Sequence, residues 1–188
     1  VGTRCTVRID WEQCSYVLKH YVEPTRRHAL KQNITRSRAR TTWNTASRLI
    51  QAGIVTPHPV ACIENRFGPF RGDSFLMYPY IEGQTLASFL GRDDFQRHHL
   101  LEYVRHQLVS LWRRLRQVRI ALTDANLKNF IITSGGQLWV IDVDKVRFHR
   151  LALAASRDHH RAWRKFSNSA KTTGLFNDTI ADALKNSF

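Results

Sequence analysis

Leu122-Thr-Asp124-Ala-Asn-Leu-Lys-Asn129-Phe-Ile-Ile-Thr-Ser-Gly-Gly-Gln-Leu-Trp-Val-Ile-Asp142-Val-Asp144 reads as a loop, a strand, a hairpin turn at Ser134-Gly135-Gly136, a second strand and an acid. The spacing predicts strands over 129–133 and 137–143. Upstream, Leu101, Val104, Leu108, Leu111, Leu115 and Val118 recur at intervals of three and four, which predicts a long amphipathic helix with Arg105, Arg113, Arg114 and Arg116 off its apolar stripe. A short helix over 85–90 precedes it. Downstream, the chain from Arg147 is polar and basic and is expected to be helical.

The first half has a different texture. Arg4 to Ile9 alternates polar and apolar residues, and Ser15 to Val22 is a second β-rich run closed by Pro24, so the two suggest a hairpin. Ser37 to Ala52 carries Ala39, Trp43, Ala46, Leu49 and Ile50 at helical spacing, with Gly53 as its stop. Two further strands, over 60–65 and 74–81, are expected to be joined by a turn at Gly68, Pro69 and Gly72. The order β, β, α, β, β followed by a helical half predicts an α+β fold without repeats or low-complexity segments.

Within the opening stretch, Asp124 and Asn129 have the D-x-x-x-x-N spacing that a phosphotransferase loop uses to set a base beside the acceptor hydroxyl and an amide oxygen on magnesium. Asp142, ending an apolar strand, is the candidate second metal ligand, and Asp144 a weaker supporting one. Magnesium takes hard oxygen ligands and keeps waters, so one Asp, one Asn and the nucleotide phosphates suffice. The bland alternative has Asp124 capping a turn and Asp142 and Asp144 as solvated strand ends. A long helix before, a hairpin after and an Asp at its end form the order of a kinase-type C-lobe. Lys19, in Tyr16-Val-Leu-Lys19, then fits the strand lysine that holds the α and β phosphates. Phe75 to Gly83 falls where such folds run the strand joining the lobes, which makes Met77, Tyr78 and Tyr80 candidate ATP-binding residues.

The composition bounds the partners. The chain has 188 residues with 29 Lys and Arg against 15 Asp and Glu, a formal charge of +14, and 43% hydrophobic residues, enough for a folded core. No acid lies between Pro24 and Ile63, where Arg26, Arg27, Lys31, Arg36, Arg38, Arg40 and Arg48 fall. Such a field attracts phosphates of any kind, on nucleic acid, an anionic membrane or an acidic glycolipid, although a charge run is also what a solvated face looks like. Trp43, Trp112, Trp139 and Trp163 near arginines suggest nucleic acid, but no helix-turn-helix, zinc-finger or RNP pattern supports it. Cys5, Cys14 and Cys62 are odd in number and far apart and read as reduced thiols in a cytosolic protein. The histidines, His98-His99 and His159-His160 among them, have no zinc-ligand spacing and read as surface residues. No G-x-S-x-G elbow is present. No apolar run approaches the ~20 residues that span a bilayer, and no signal or transit peptide is visible after Val1-Gly2.

From Tyr16 to Phe148 the chain resembles the bacterial lipopolysaccharide kinases. The resemblance is carried by Tyr16-Val-Leu-Lys-His-Tyr, by Arg36-Ser-Arg-Ala-Arg with Trp43 and Leu49-Ile-Gln-Ala-Gly-Ile-Val-Thr-Pro-His-Pro-Val-Ala, by Tyr80-Ile-Glu-Gly, and by Asp124-x4-Asn129-Phe with Val140-Ile-Asp-Val-Asp. It implies a two-lobed, minimal protein-kinase-like fold: a small antiparallel-sheet N-lobe with its hinge over 1–83 and a helical C-lobe over 84–188. It further implies transfer of phosphate from ATP, with Mg2+, to a heptose or Kdo hydroxyl, with Asp124 as base, Asn129 and Asp142 on metal and Lys19 on phosphate. A cytoplasmic protein at the inner face of the inner membrane is implied too, where Arg36, Arg38 and Arg40 would meet acidic substrate or anionic lipid. Three features depart from the pattern. Leu122 stands where kinase-like folds put a His, the helix after Lys19 has no Glu to pair with it, leaving Glu23 or Asp142 as partners, and no glycine-rich loop precedes Lys19. The missing Glu and Leu122 favour the alternative of an inactive pseudokinase that binds acidic glycolipid, membrane or a protein partner. The 46 residues after Asp142 (188 − 142) are too few for a peptide-substrate platform and disfavour a protein kinase.

Overall fold

A computed structural model describes residues 4–22, 36–67, 70–91 and 95–171. The chain divides into two compact units, Val1–Gln51 with Pro57–Tyr80, and Ala52–Thr56 with Ile81–Phe188.

In the first unit β1 (Arg4–Trp11) and β2 (Cys14–Tyr21) form the expected hairpin, turned at Glu12, whose φ of 53° suits a tight two-residue connection. β3 (Ala61–Phe67) and β4 (Phe70–Pro79) follow α1 (Arg38–Gln51), and the antiparallel sheet runs β1-β2-β4-β3. β1 is an edge strand and stays largely exposed on both faces, with Arg4, Arg8 and Asp10 keeping it soluble. The helix starts where Ser37 accepts a hydrogen bond from the Arg40 amide at 3.0 Å and ends before Gly53, at φ +76°. Its Ala39 packs with Tyr21 and Leu76 of the sheet, while Trp43, Cys62 and Tyr78 close around them. Gly72 lies inside β4 rather than in the turn expected there, because the strand begins at Phe70. Gly68 and Pro69, like Glu23, Arg26, Arg27 and Lys31, lie outside the described residues.

The second unit is built around α3 (Phe95–Gln117), whose Val104, Leu108, Trp112 and Leu115 are buried. Before it, β5 (Gln84–Thr85) leads into α2 (Leu86–Leu90), capped by the Thr85 hydroxyl. The hairpin of β7 (Phe130–Ile132) and β8 (Leu138–Val140) pairs with β5 in the order β5-β7-β8. Gln107 on α3 fastens its turn, donating to the Gly136 carbonyl at 2.8 Å and accepting from the Leu138 amide at 2.9 Å. The returning segment Ala52–Thr56 completes the outer side of β8: Val140 N donates to the Val55 carbonyl at 2.9 Å and the Thr56 hydroxyl to the Val140 carbonyl at 2.7 Å.

Besides β5, two further short strands differ from the sequence expectation. β6 (Ile120–Leu122) pairs with β9 (Val146–Phe148), so the chain from Arg147 first completes a strand, and the helix α4 spans Ala152–Lys171. Three-residue strands carry too little period-2 signal to be read. α4 is also less polar than expected. It buries Ala155, Ala162, Trp163, Phe166 and Ala170, and Phe166 packs against Phe130 and Trp112 with ring centroids 5.5 and 5.7 Å apart. Trp112 and Trp163 are therefore core residues, which removes half of the tryptophan argument for nucleic acid. His159 corrects the surface reading of the histidines: it is 2% exposed, and burial, with His149 and Arg116 nearby, holds its imidazole below the ordinary range and so neutral.

Candidate active site

The residues singled out in the opening stretch sit on one framework. β6 ends at Leu122, buried where a His was expected, and passes into a loop tied to the far strand by the Thr123 amide, which donates to the Lys145 carbonyl at 3.2 Å. Asn126 turns the loop with its side chain, accepting from the Lys128 amide at 3.0 Å, and a short 3-10 turn (Leu127–Asn129) delivers Asn129. Asn129 Nδ2 donates to the Asp124 carbonyl at 2.8 Å. A carbonyl can only accept, so this bond fixes which end of the amide is nitrogen and leaves Oδ1, the hard donor a cation takes, outside it. The Ile141 amide donates to the Asn129 carbonyl at 2.8 Å, drawing the end of the second strand alongside.

Asp142 follows Ile141 in the left-handed region, at φ 57° and ψ 55°, and opens a 3-10 turn (Val143–Lys145). A β-carbon residue held there costs of order 1 kcal/mol, and such strain concentrates at functional sites. Asp124, Asn129 and Asp142 line the same small recess, floored by Phe130, Val140 and Val143. Hard oxygens from one Asp and one Asn suit magnesium together with phosphate oxygens. Among the described residues no group of three His, Cys, Asp or Glu side chains could hold a metal alone.

Asp124 has neighbours that the sequence reading missed. Lys145 Nζ lies 3.2 Å from its Oδ2, and Lys165 of α4 pairs with its Oδ1. The Lys165 hydrogen bond holds the Asp124 carboxyl below the usual carboxylate range; partial burial works against this, and Lys145 adds to the lowering. Lys145 is three residues past Asp142 and could have been noticed. Lys165 is 41 residues from Asp124, and no local pattern announces it.

The first unit gathers the nucleotide candidates. Lys19 is 4% exposed on β2, paired in register with Leu76, and its Nζ sits 5.4 Å from the centre of the Tyr78 ring. Met77 and Tyr78 face Leu18 and Val17 across the same ladder. Tyr80 is fastened by its amide to the Ser15 carbonyl at 2.8 Å, and Arg8 stacks over its ring at 4.3 Å. α1 carries no acid, and Glu64 on β3 serves that helix's start instead: the Ser37 hydroxyl, then Arg66 and Arg40, hold its carboxyl below the usual range. Arg36, Arg38 and Arg40 are all exposed.

A four-stranded antiparallel unit with a buried strand lysine, and a helical unit with an Asp-x4-Asn loop and a strand-end Asp, define a minimal kinase-like α+β protein. The model of the lipopolysaccharide kinase (Kdo/WaaP) family matches residues 2–184, and the chain belongs to that family. It is therefore a kinase acting in the lipopolysaccharide core. Among solved structures it is similar to a WaaP chain in complex with acyl carrier protein, at 17% identity over 98% of this chain and 85% of that one, with a TM-score of 0.54; this likeness shows the fold. Among curated proteins none matches. No helix among the described residues is long and apolar enough to cross a membrane.

Proposed function

We propose that this chain transfers the γ-phosphate of ATP, with magnesium, to a hydroxyl of a heptose or Kdo sugar. The observation that carries the reading is the shared recess of Asp124, Asn129 and Asp142, with the Asn129 amide turned by its bond to the Asp124 backbone. Asp124 accepts the acceptor's hydroxyl proton on a carboxylate oxygen as the sugar oxygen bonds to the γ-phosphorus; the bond to the bridging oxygen breaks and ADP leaves. Asn129 and Asp142 hold magnesium, which when bound neutralises charge on the phosphates. Lys19 steadies the α and β phosphates, and a buried ammonium is well suited to that, because an anion relieves its desolvation. Met77, Tyr78 and Tyr80 border the adenine. In lobe terms, the first unit corresponds to the N-lobe and the second to the C-lobe, so the expected boundary at 83 moves to Tyr80/Ile81 and Ala52–Thr56 goes with the C-lobe. The exposed Arg36, Arg38 and Arg40 meet acidic glycolipid or the anionic inner membrane from the cytoplasmic side.

The test is transfer of radiolabelled γ-phosphate from ATP to purified lipid A-core oligosaccharide, with magnesium, by wild type, Asp124→Ala and Asp142→Ala. Transfer lost in both variants is the expected result. No transfer and no ATP binding by wild type would favour the pseudokinase reading, to which the buried Leu122 and the acid-free α1 point.

A further inference from the structure

The two lysines on Asp124 come from elements anchored independently of each other. Lys145 ends a 3-10 turn whose carbonyl is held by Thr123 and whose next residue, Val146, pairs with Leu122 across β6 and β9. Lys165 stands between Trp163 and Phe166 on α4, whose rings are fixed against Trp112 in the core. Both ammonium groups converge on one carboxylate, one to each oxygen, so these three side chains together carry one excess positive charge.

Such a pair is a poor device for holding a fold. The Lys145 and Lys165 side chains are 70% and 49% exposed, and ion pairs open to water contribute little stability. What the arrangement does is place two ammonium groups beside the base. Each Asp124 oxygen takes one lysine and keeps a second lone pair, so an acceptor hydroxyl that donates to Asp124 comes to lie next to an ammonium. Both ammonium groups are carried on anchored backbone. An acceptor bringing its own oxyanion can share or take a lysine and offset the excess positive charge of the pair, whereas a neutral acceptor does neither.

We propose that Lys145 and Lys165 form an oxyanion subsite beside Asp124 that binds an acid group, carboxylate or phosphate, of the acceptor sugar. In the free protein the Asp124 carboxylate fills it. The proposal rests on the reading of Asp124 as the base and deepens it: the pair selects acidic over neutral acceptors.

The test uses the full chain as wild type, Lys145→Met, Lys165→Met, the double variant and the two Lys→Arg variants. The acceptor is core oligosaccharide in three forms: intact, carboxyl-reduced and dephosphorylated. In wild type KM rises about tenfold on the form that lacks the recognised acid, in line with a charge-assisted hydrogen bond, and the form affected separates carboxylate from phosphate. In the double variant KM for the intact form rises to the same level, the three forms become equivalent, and the Arg variants keep the preference. A fall in kcat on all three forms with the acceptor preference intact would overturn the proposal by assigning the lysines to the transferring phosphoryl group. Equal KM values in wild type would overturn it without any variant, so a variant that fails to fold leaves the test intact. Binding of the three oligosaccharides without ATP, followed by NMR, separates this proposal from the kinase reading. Lysine-dependent preference without turnover sustains the subsite and sinks the kinase reading, and no preference in binding sinks the subsite.

Discussion

Gly83→Ala should destabilise the second unit through one identifiable collision. Gly83 precedes β5 and lies against β7, whose Ile132 pairs with Gln84. A Cβ at this position would sit 2.4 Å from the Ile132 carbonyl oxygen and 2.7 Å from Ile131 Cγ2, where real contacts essentially never fall below 3.0 Å. The two strands would have to part by at least 0.6 Å, the difference between 3.0 and 2.4. Neither side gives readily, since the obstacle is backbone and Ile132 is buried in the core. Overpacking of this kind costs about 2 kcal/mol. For a chain of this size that lowers Tm by about 4–8 °C. Gly72→Ala is the control: its Cβ would meet Asn65 atoms no closer than 3.4 Å, and it should melt near wild type. Thermal unfolding followed by circular dichroism compares the two. Equal melting temperatures for Gly83→Ala and Gly72→Ala would refute the packing argument and mean that β5 does not approach β7 as described.

Asp158 gives a pH-dependent outcome. Burial opposes its ionisation, but Arg147 at 3.1 Å, His149 and Arg161 hold its carboxyl below the usual range overall. A depressed carboxylate stabilises the fold above its unfolded pKa of about 4 and loses that contribution as pH falls through its folded value. Urea titrations should therefore show Asp158→Asn less stable than wild type by about 1.5 kcal/mol at pH 7, with the gap closing below about pH 4; a gap constant with pH would rule out the ion pair. Reversing the charge of Arg36, Arg38 and Arg40 together should raise KM for a lipid-linked acceptor severalfold while leaving KM for ATP unchanged. An unchanged acceptor KM would return α1 to a merely solvated face.

Elements long enough to show a period were legible in the sequence. The apolar spacing from Leu101 to Leu115 lies within α3, with Val118 one residue past its end, and the alternation after Arg4 and Ser15 became the β1-β2 hairpin. β5, β6 and β9 were not legible, because two or three residues cannot express an alternation and their pairing is decided by distant partners such as Ile120 with Phe148. Asp124, Asn129 and Asp142 could be nominated because they lie within 19 consecutive residues. Lys165 could not, since only the packing of Trp163 and Phe166 on Trp112 turns it toward the loop. His159 misled for a related reason: histidine is common at surfaces, and only the amphipathic face of α4 assigns it to the interior.

The segment Ala52–Thr56 makes the chain pass between the two units three times, at 51/52, 56/57 and 80/81. No single cut can then yield both as continuous fragments, and a piece starting at Ile81 would leave the Val140 amide and carbonyl at the outer side of β8 without their partners. During synthesis the order is unfavourable as well. Ile54 and its neighbours leave the ribosome more than 80 residues ahead of Val140, against which they finally rest, so an apolar side chain destined for the interior stays in water until most of the chain has been made. The protein is thus expected to complete its second unit late and as one event, and deletions in 52–56 should lower soluble yield out of proportion to their length.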